Sequence, residues 1–174
     1  MQGDSIQLAT KALNENSVVG IPTETVYGIG VNPYSEEAVK KLFEIKERDD
    51  SKPISLLIPS YNYLNQLNLV TQVPEIVDLY WPGPLTAVVE TNEEFADGGG
   101  TKQPHTIGLR VPENETALQL LNEIGPLAVT SANVSGEKEA TDNDEAFTMF
   151  GDDIAYYLDC LLYTSDAADE SSSV

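Results

Sequence analysis

Apolar segments of strand length that alternate with amphipathic segments of helical length are the feature that most constrains the fold of this chain. The strand candidates are rich in β-branched residues and cover residues 18–21, 54–58, 85–90, 106–111, 127–129 and 154–158. Apolar residues at helical spacing occur at residues 6–13, after Ser35 and Asn114, which are expected to cap their helices, and after a helix start at Thr141, where Phe147 is expected to face inward. Because two or three strands follow one another without a helical crossover, the pattern predicts an α/β domain with a mixed β-sheet.

The charge of the chain restricts the partners that it can bind. The 174 residues include 29 acidic and nine basic side chains, which gives a formal net charge of −20. Such a surface repels a phosphate backbone, so we expect weak or no direct binding of nucleic acid. Four cations lie at the ends of apolar segments: Lys46, Arg48, Lys52 and Arg110. Their position is compatible both with binding of an anion and with ion pairs to the abundant carboxylates.

Several familiar kinds of segment and site are missing from the sequence. The sequence contains no run of about 18 apolar residues and no signal peptide, and Cys160 is its only cysteine. We therefore expect a cytoplasmic protein without membrane association. There is no P-loop motif and no His and Cys cluster for zinc. His105, the only histidine, lies in a polar loop, so no Ser–His–Asp set is expected. These absences favour a site in which the substrates react with each other while the protein places them and neutralises charge.

Two of the strand candidates run directly into polar residues. Residues 23–25 (Thr-Glu-Thr) follow the first strand, and residues 130–136 (TSANVSG) follow the strand at 127–129. Polar groups at strand ends commonly line the rim of a pocket. A strand followed by an ordinary hydroxyl cap produces the same pattern, and the residues alone leave these two interpretations open.

Five motifs carry a resemblance to a known family. They are GIPTETVYG at residues 20–28, Lys46 and Arg48 with Lys52 and Pro53 after them, WPGPLT at 81–86, RVP at 110–112 and TSANVSG at 130–136. In this order, between residues 5 and 159, they resemble the YrdC/TsaC family of threonylcarbamoyl-AMP synthases. The resemblance implies a single-domain, twisted, open mixed sheet with flanking helices and a concave basic site. It also implies a nucleotidyltransferase that converts L-threonine, bicarbonate and ATP into threonylcarbamoyl-AMP and pyrophosphate.

The resemblance also implies roles for individual residues. Lys46 and Arg48 are expected to be catalytic, because their charges would neutralise the attack of an anionic threonine carbamate on the α-phosphate of ATP. The residues expected on the threonine side are Thr23, Thr25, Tyr27 and Arg110, the last holding the carboxylate. Those expected to bind the nucleotide are Lys46, Arg48, Lys52, Ser131 and Asn133. Mg²⁺ is expected to be carried by the ATP phosphates without a dedicated metal site. Glu24 is expected to accept a hydrogen bond from a backbone N–H group.

The resemblance further implies partners for this chain and leaves alternative functions open. Threonylcarbamoyl-AMP serves the formation of threonylcarbamoyladenosine in tRNA, so a tRNA-modifying threonylcarbamoyl transferase is the expected downstream partner, with weak or no direct tRNA binding by this chain. Domains of this family are also described as binding double-stranded RNA, and a non-catalytic RNA- or nucleotide-binding domain is the alternative function. A carbamoyl-transfer module of the hydrogenase maturation type matches less well, because its zinc-finger and acylphosphatase segments are absent.

Two departures from the family pattern are visible in the sequence. Some members carry a histidine that contacts threonine in the strand after the Lys-Pro pair, whereas residues 54–58 here contain Ser55 and no histidine. Residues 160–174 match no motif of the family and lack periodicity. We therefore expect a YrdC-like domain at residues 1–159 that is incomplete at its C-terminus, followed by a disordered tail at residues 160–174.

Overall fold

A seven-stranded mixed β-sheet runs through the part of the chain that the computed structural model describes, namely residues 2–47, 55–96, 105–134 and 136–159. The strands are β1 (Val19–Ile21), β2 (Gly28–Val31), β3 (Ser55–Leu57), β4 (Ala87–Thr91), β5 (His105–Arg110), β6 (Leu127–Ser131) and β7 (Tyr156–Tyr157). Their order across the sheet is β4-β5-β3-β6-β2-β1-β7. The pairs β3–β5 and β1–β7 are parallel and the other neighbouring pairs are antiparallel, so the mixed sheet is confirmed.

Helices connect many of these strands. They are α1 (Gln2–Asn14), α2 (Glu36–Lys46), α3 (Val77–Tyr80), α4 (Glu115–Ile124) and α5 (Asn143–Phe150), with short 3₁₀ helices at Tyr61–Gln66 and Gly151–Asp153. Within the described ranges, no helix has the length and the apolar character needed to cross a membrane.

The helices α1 and α4 cover one face of the sheet over only part of its area. Leu13 of α1 and Leu120 of α4 pack in one buried cluster with Leu57, Leu127 and Val129 of the central strands. Towards the β4 edge the same face is open, because Val88 of β4 is 69% exposed. The region between the covered end and the open edge is therefore accessible to solvent.

The opposite face of the sheet is covered along a greater part of its width. Successive strand residues point to opposite faces, so Ala128 and Leu56 lie behind the residues that face α1 and α4. Ala128 packs with α2 and α5 in a second cluster. Leu56 packs with Leu109 and with residues from the segment before β4 in a third cluster. Apolar packing on this face supports the strands whose other face remains open.

Both ends of α2 are defined by local interactions. The Ser35 hydroxyl accepts a hydrogen bond from the Ala38 N–H group at 3.1 Å, which confirms the predicted cap. The helix buries Val39 and Leu42 against the sheet. It ends at Lys46, because Glu47 adopts the left-handed conformation with φ of 54°. The aliphatic packing and the two defined ends together place Lys46 beside the end of β6.

The last helix differs from the expectation at two points. It is capped by Asp142, whose carboxylate accepts the Glu145 N–H group at 2.8 Å, so it begins slightly later than a start at Thr141. The N–H and hydroxyl groups of Thr141 donate to the Glu145 carboxylate and lower its pKa. Phe147, expected inside by its spacing, is 56% exposed and packs edge-on against the ring of Tyr157.

Several expectations concern residues outside the described ranges. These are the cations Arg48 and Lys52, the glycine-rich segment at residues 98–100, for which the sequence favours a hairpin tip, the proposed tail at residues 160–174 and the side chain of His105. The backbone of His105 begins β5, so the expected loop position of this residue is wrong. The boundary at residue 159 accordingly stays a prediction.

Replacement of Ser35 by Ala should destabilise the protein by about 1 kcal/mol, because the first turn of α2 loses its side-chain acceptor. Urea unfolding should show a lower midpoint with an unchanged slope. Ser60→Ala is the matched control, since Ser60 precedes a 3₁₀ helix without a side-chain cap hydrogen bond. Equal midpoints for the two variants would contradict the assigned role of Ser35.

Candidate functional site

A cleft of about 220 Å³ lies on the open part of the sheet face that α1 and α4 leave uncovered. Six of the described residues that line it carry a hydroxyl group, and one carries a guanidinium group. The lining residues are Thr23, Thr25, Val26, Gly28, Ser55, Leu57, Thr86, Arg110, Val129, Thr130 and Ser131. The cleft therefore combines hydrogen-bonding groups with an apolar floor and a positive charge, which suits a small polar ligand.

The pairing register brings these residues together from distant parts of the sequence. Ser55 lies opposite Gly108 on β5 and opposite Val129 on β6. Gly28 lies opposite Ser131. A Cβ atom on Gly108 would come within 2.9 Å of Cγ2 of Thr86. The absence of a side chain at this position keeps the floor of the cleft low between Ser55 and Thr86.

The turn after β1 is organised by its own hydroxyl groups. The Thr23 hydroxyl donates to the carbonyl of Val26 at 2.5 Å and accepts the Thr25 N–H group at 3.3 Å. The hydroxyl oxygens of Thr23 and Thr25 lie 3.2 Å apart. A hydroxyl that bonds its own turn holds the chain in one shape, so both threonines are held at the rim of the cleft.

Arg110, at the end of β5, is held from several sides. Its Nη2 donates to Oε1 of Glu24 at 2.5 Å and to the Thr25 hydroxyl at 3.4 Å, and its Nε donates to the Gly83 carbonyl at 3.2 Å. Glu24 Oε2 accepts the Glu113 N–H group at 3.1 Å, which confirms the expected backbone hydrogen bond. Both charged side chains are less than one-fifth exposed. The guanidinium is therefore an oriented group at the wall of the cleft.

Lys46 reaches the end of β6 from the α2 side of the sheet. Its side chain is buried, with 2% of the residue exposed. Nζ donates to the carbonyl of Ser131 at 2.6 Å and to Oδ1 of Asn133 at 2.8 Å. A buried ammonium group needs such acceptors to offset the loss of hydration. Its positive charge thus lies directly behind the strand end that lines the cleft.

The side chain of Asn133 makes several hydrogen bonds to the segment that follows β6. Its Oδ1 also accepts the Ser131 hydroxyl at 2.7 Å, and its Nδ2 donates to the carbonyls of Val134 and Glu137 at 3.1 and 2.8 Å. The residue is 8% exposed and does not line the cleft. The structure consequently gives Asn133 the role of holding Ser131 and the following turn.

Tyr27 does not lie with the other residues expected on the threonine side. Val26 and Gly28 line the cleft, whereas Tyr27 between them packs in the buried cluster with α2 and α5 on the opposite face of the sheet. Its hydroxyl donates to the Leu158 carbonyl at 2.6 Å and the residue is 2% exposed. Burial, followed by the nearby Asp159 carboxylate, raises the pKa of Tyr27 well above its usual value. The structure therefore shows Tyr27 in a packing and hydrogen-bonding role, and its expected contact with threonine stays a prediction.

Glycine at position 20 makes this placement of Tyr27 possible. A Cβ atom on Gly20 would lie 2.6 Å from the Tyr27 hydroxyl oxygen. The ring therefore crosses β1 at a position where a side chain would block it, and it reaches the backbone after β7.

The structure brings together four of the expected site residues at the cleft: Thr23, Thr25, Arg110 and Ser131. It places Lys46 and Asn133 behind it, and the roles of Arg48 and Lys52 stay predictions because both lie outside the described residues. Ser55, which lies in the strand where some family members carry a histidine, lines the cleft. Sequence reasoning assigned no role to Thr86 and Thr130, although both lie in the quoted motifs. In the described part of the chain, no group of three His, Cys, Asp or Glu residues is arranged to hold a metal ion.

An open mixed sheet carries a hydroxyl-lined cleft with a guanidinium at its wall and a buried ammonium behind a strand end, an arrangement whose charge and hydrogen-bonding groups suit a small anionic ligand. The chain belongs to the Sua5/YciO/YrdC family, whose profile carries the description "Telomere recombination" and matches residues 11–174. This membership confirms the family resemblance of the motifs.

Relatives and solved structures agree with this assignment. A relative from Escherichia coli O1:K1, named threonylcarbamoyl-AMP synthase, is 34% identical over 159 residues, which cover 87% of this chain and 82% of the relative. One from Pyrococcus abyssi with the same name is 37% identical over 144 residues and covers 78% of this chain. The crystal structure of P. abyssi Sua5 complexed with L-threonine matches with a TM-score of 0.77 and 35% identity over 88% of this chain. This chain spans 41% of the P. abyssi relative and 46% of the Sua5 chain in that structure.

Replacement of Tyr27 by Phe should lower the stability by about 1–3 kcal/mol, because the buried Leu158 carbonyl loses its donor. The difference from the parent should shrink as the pH rises above 10, the ordinary pKa of Tyr. The raised pKa of folded Tyr27 adds stability in full below that pH, and this contribution is lost as the pH rises.

Urea unfolding at pH 7 and pH 11 measures both effects, with the exposed Tyr61→Phe as the control. Unchanged stability in the Tyr27 variant would contradict the assigned packing role.

Proposed function

We propose that this chain is a threonylcarbamoyl-AMP synthase, which joins L-threonine, bicarbonate and ATP into threonylcarbamoyl-AMP with release of pyrophosphate. The relatives that carry this name are 34–37% identical to it, and the matched Sua5 structure contains L-threonine. These findings support a nucleotidyltransferase that uses ATP over the alternative of a non-catalytic RNA- or nucleotide-binding domain.

One observation of the site carries the proposal. The guanidinium of Arg110 lies at the wall of the hydroxyl-lined cleft, and the buried ammonium of Lys46 lies behind the strand end that lines it. Two positive groups are needed when one anion attacks another, because both the approach of the reactants and the charge that develops must be neutralised.

The proposed reaction uses the two ends of the cleft differently. The threonine amine and bicarbonate form a carbamate with loss of water. A carbamate oxygen then attacks the α-phosphorus of ATP, and the bond from that phosphorus to the bridging oxygen of pyrophosphate breaks. Arg110 binds the threonine carboxylate, with Thr23 and Thr25 beside it, and the resulting orientation places the carbamate for attack.

The nucleotide occupies the end of the cleft near β6 in this proposal. The Ser131 hydroxyl contacts the phosphates and Asn133 positions it. Lys46 supplies positive charge behind the strand end, and Arg48 and Lys52 contact the phosphates from the segment after α2. ATP enters as its Mg²⁺ complex, so the metal arrives with the substrate.

The wider context of the reaction follows from the product and the charge of the chain. Threonylcarbamoyl-AMP is a mixed anhydride, which an acceptor amine can attack, and we propose that a tRNA-modifying threonylcarbamoyl transferase in the cytoplasm consumes it. The net charge of −20 supports weak or no direct tRNA binding by this chain.

Release of pyrophosphate from ATP tests the function directly. We expect release that requires both L-threonine and bicarbonate, with threonylcarbamoyl-AMP detected by mass spectrometry. Release at the same rate without threonine would refute the synthase assignment. A tRNA mobility shift at physiological ionic strength without any pyrophosphate release would favour the binding alternative.

Lys46→Met should reduce turnover by about 100-fold or more, because it removes the charge while keeping an unbranched side chain in the buried space. Lys40→Met is the matched control, since Lys40 lies exposed on the same helix. Far-UV circular dichroism should show that both variants fold. Parent-like turnover in the Lys46 variant would remove Lys46 from the mechanism.

A further inference from the structure

Glu24 joins three segments of the chain at the wall of the cleft. It belongs to the turn after β1, its Oε1 accepts Nη2 of Arg110 at the end of β5, and its Oε2 accepts the N–H group of Glu113 in the loop before α4. Its side chain is 18% exposed. Because both carboxylate oxygens have donors from different segments, the carboxylate has one defined position and orientation.

The contacts of Arg110 leave one corner of its guanidinium available. Nε donates to the Gly83 carbonyl, and Nη2 donates to Glu24 and to Thr25. Nη1 makes no hydrogen bond to any residue that the structure describes, and Arg110 lines the cleft. A guanidinium is planar and rigid, so fixing Nε and Nη2 also fixes the direction of Nη1.

We propose that Glu24 is a positioning residue for the amino-acid substrate: it holds the Arg110 guanidinium so that Nη1 is presented to the substrate carboxylate. This inference rests on the proposed function, because the carboxylate concerned is that of threonine. Glu24 does not touch the substrate itself. It acts through Arg110 and through the turn that carries Thr23 and Thr25.

Two opposing physical effects decide whether removal of the Glu24 charge weakens or strengthens threonine binding. The negative charge of Glu24 lies close to the bound carboxylate and, by Coulomb's law, opposes its binding. Fixing the guanidinium removes the disorder of a long side chain before the substrate arrives and so favours binding. If positioning dominates, removal of the Glu24 charge weakens threonine binding; if charge repulsion dominates, the same change strengthens it.

The decisive variant is Glu24→Gln, which keeps the length and shape of the side chain but removes the ion pair. A Gln side chain has only one acceptor oxygen, so it cannot satisfy both Arg110 and the Glu113 N–H group. Glu113→Gln is the matched control. It removes the same charge nearby from an exposed side chain, while its backbone N–H group still donates to Glu24.

The experiment measures L-threonine binding by calorimetry together with the KM values for threonine and ATP and the kcat of pyrophosphate release. We expect the Kd and the KM for threonine to rise about tenfold or more in Glu24→Gln, because the carboxylate loses an oriented partner. The KM for ATP at saturating threonine should stay close to the parent value, whereas the thermal midpoint should fall because a mostly buried ion pair is lost. Glu24→Asp, which keeps the charge on a shorter stem, should lie between Glu24→Gln and the parent. Glu113→Gln should behave like the parent.

Three outcomes would overturn the inference. Threonine affinity in Glu24→Gln that equals or exceeds that of the parent would show that positioning does not dominate. Equal losses of affinity for threonine and for ATP would show a purely structural role. Failure of the parent chain to bind threonine would overturn both the inference and the proposed function, whereas normal parent activity with an unaffected Glu24 variant would overturn the inference alone.

Discussion

The antiparallel pairing of β6 with β2 and β3 is the constraint on which the site depends. Side chains alternate between the faces of a sheet, so the register decides which residues face the cleft and which are buried behind it. With Gly28 opposite Ser131 and Ser55 opposite Val129, small and hydroxyl-bearing side chains share the open face. A slip of one residue would exchange these with the apolar side chains of the opposite face.

The two positive charges of the site are held by different means, which suits their different proposed tasks. Arg110 lies at the wall of the cleft with an ionic partner, and its planar guanidinium holds Nη1 in a fixed direction. Lys46 is buried and bonded to the Ser131 carbonyl and the Asn133 amide oxygen. A charge in such a poorly solvated position acts over a longer distance than a surface charge, because water screens it less.

Much of the fold was predictable because it depends on local patterns. Ser35 and Asn114 cap their helices with side-chain oxygens, as their positions before apolar periodic segments predicted. The same reasoning failed for Phe147, whose spacing predicted burial but which lies exposed against Tyr157. Helical spacing defines a face, and only the packing of that face against the sheet decides where its margins lie. The motif residues Thr23, Thr25, Arg110 and Ser131 were likewise predictable as a group.

The sequence by itself determined the class of fold, the family and the residue types of the site, because strand and helix periods, caps and motifs are local properties. The tertiary structure decided the direction of each side chain. Tyr27 lies on the opposite face of the sheet from the cleft. Both carboxylate oxygens of Glu24 accept hydrogen bonds, and Asn133 holds Ser131 and the turn after it. Strand register and contacts between distant segments fix these directions, and neither can be derived from the order of residues within one motif.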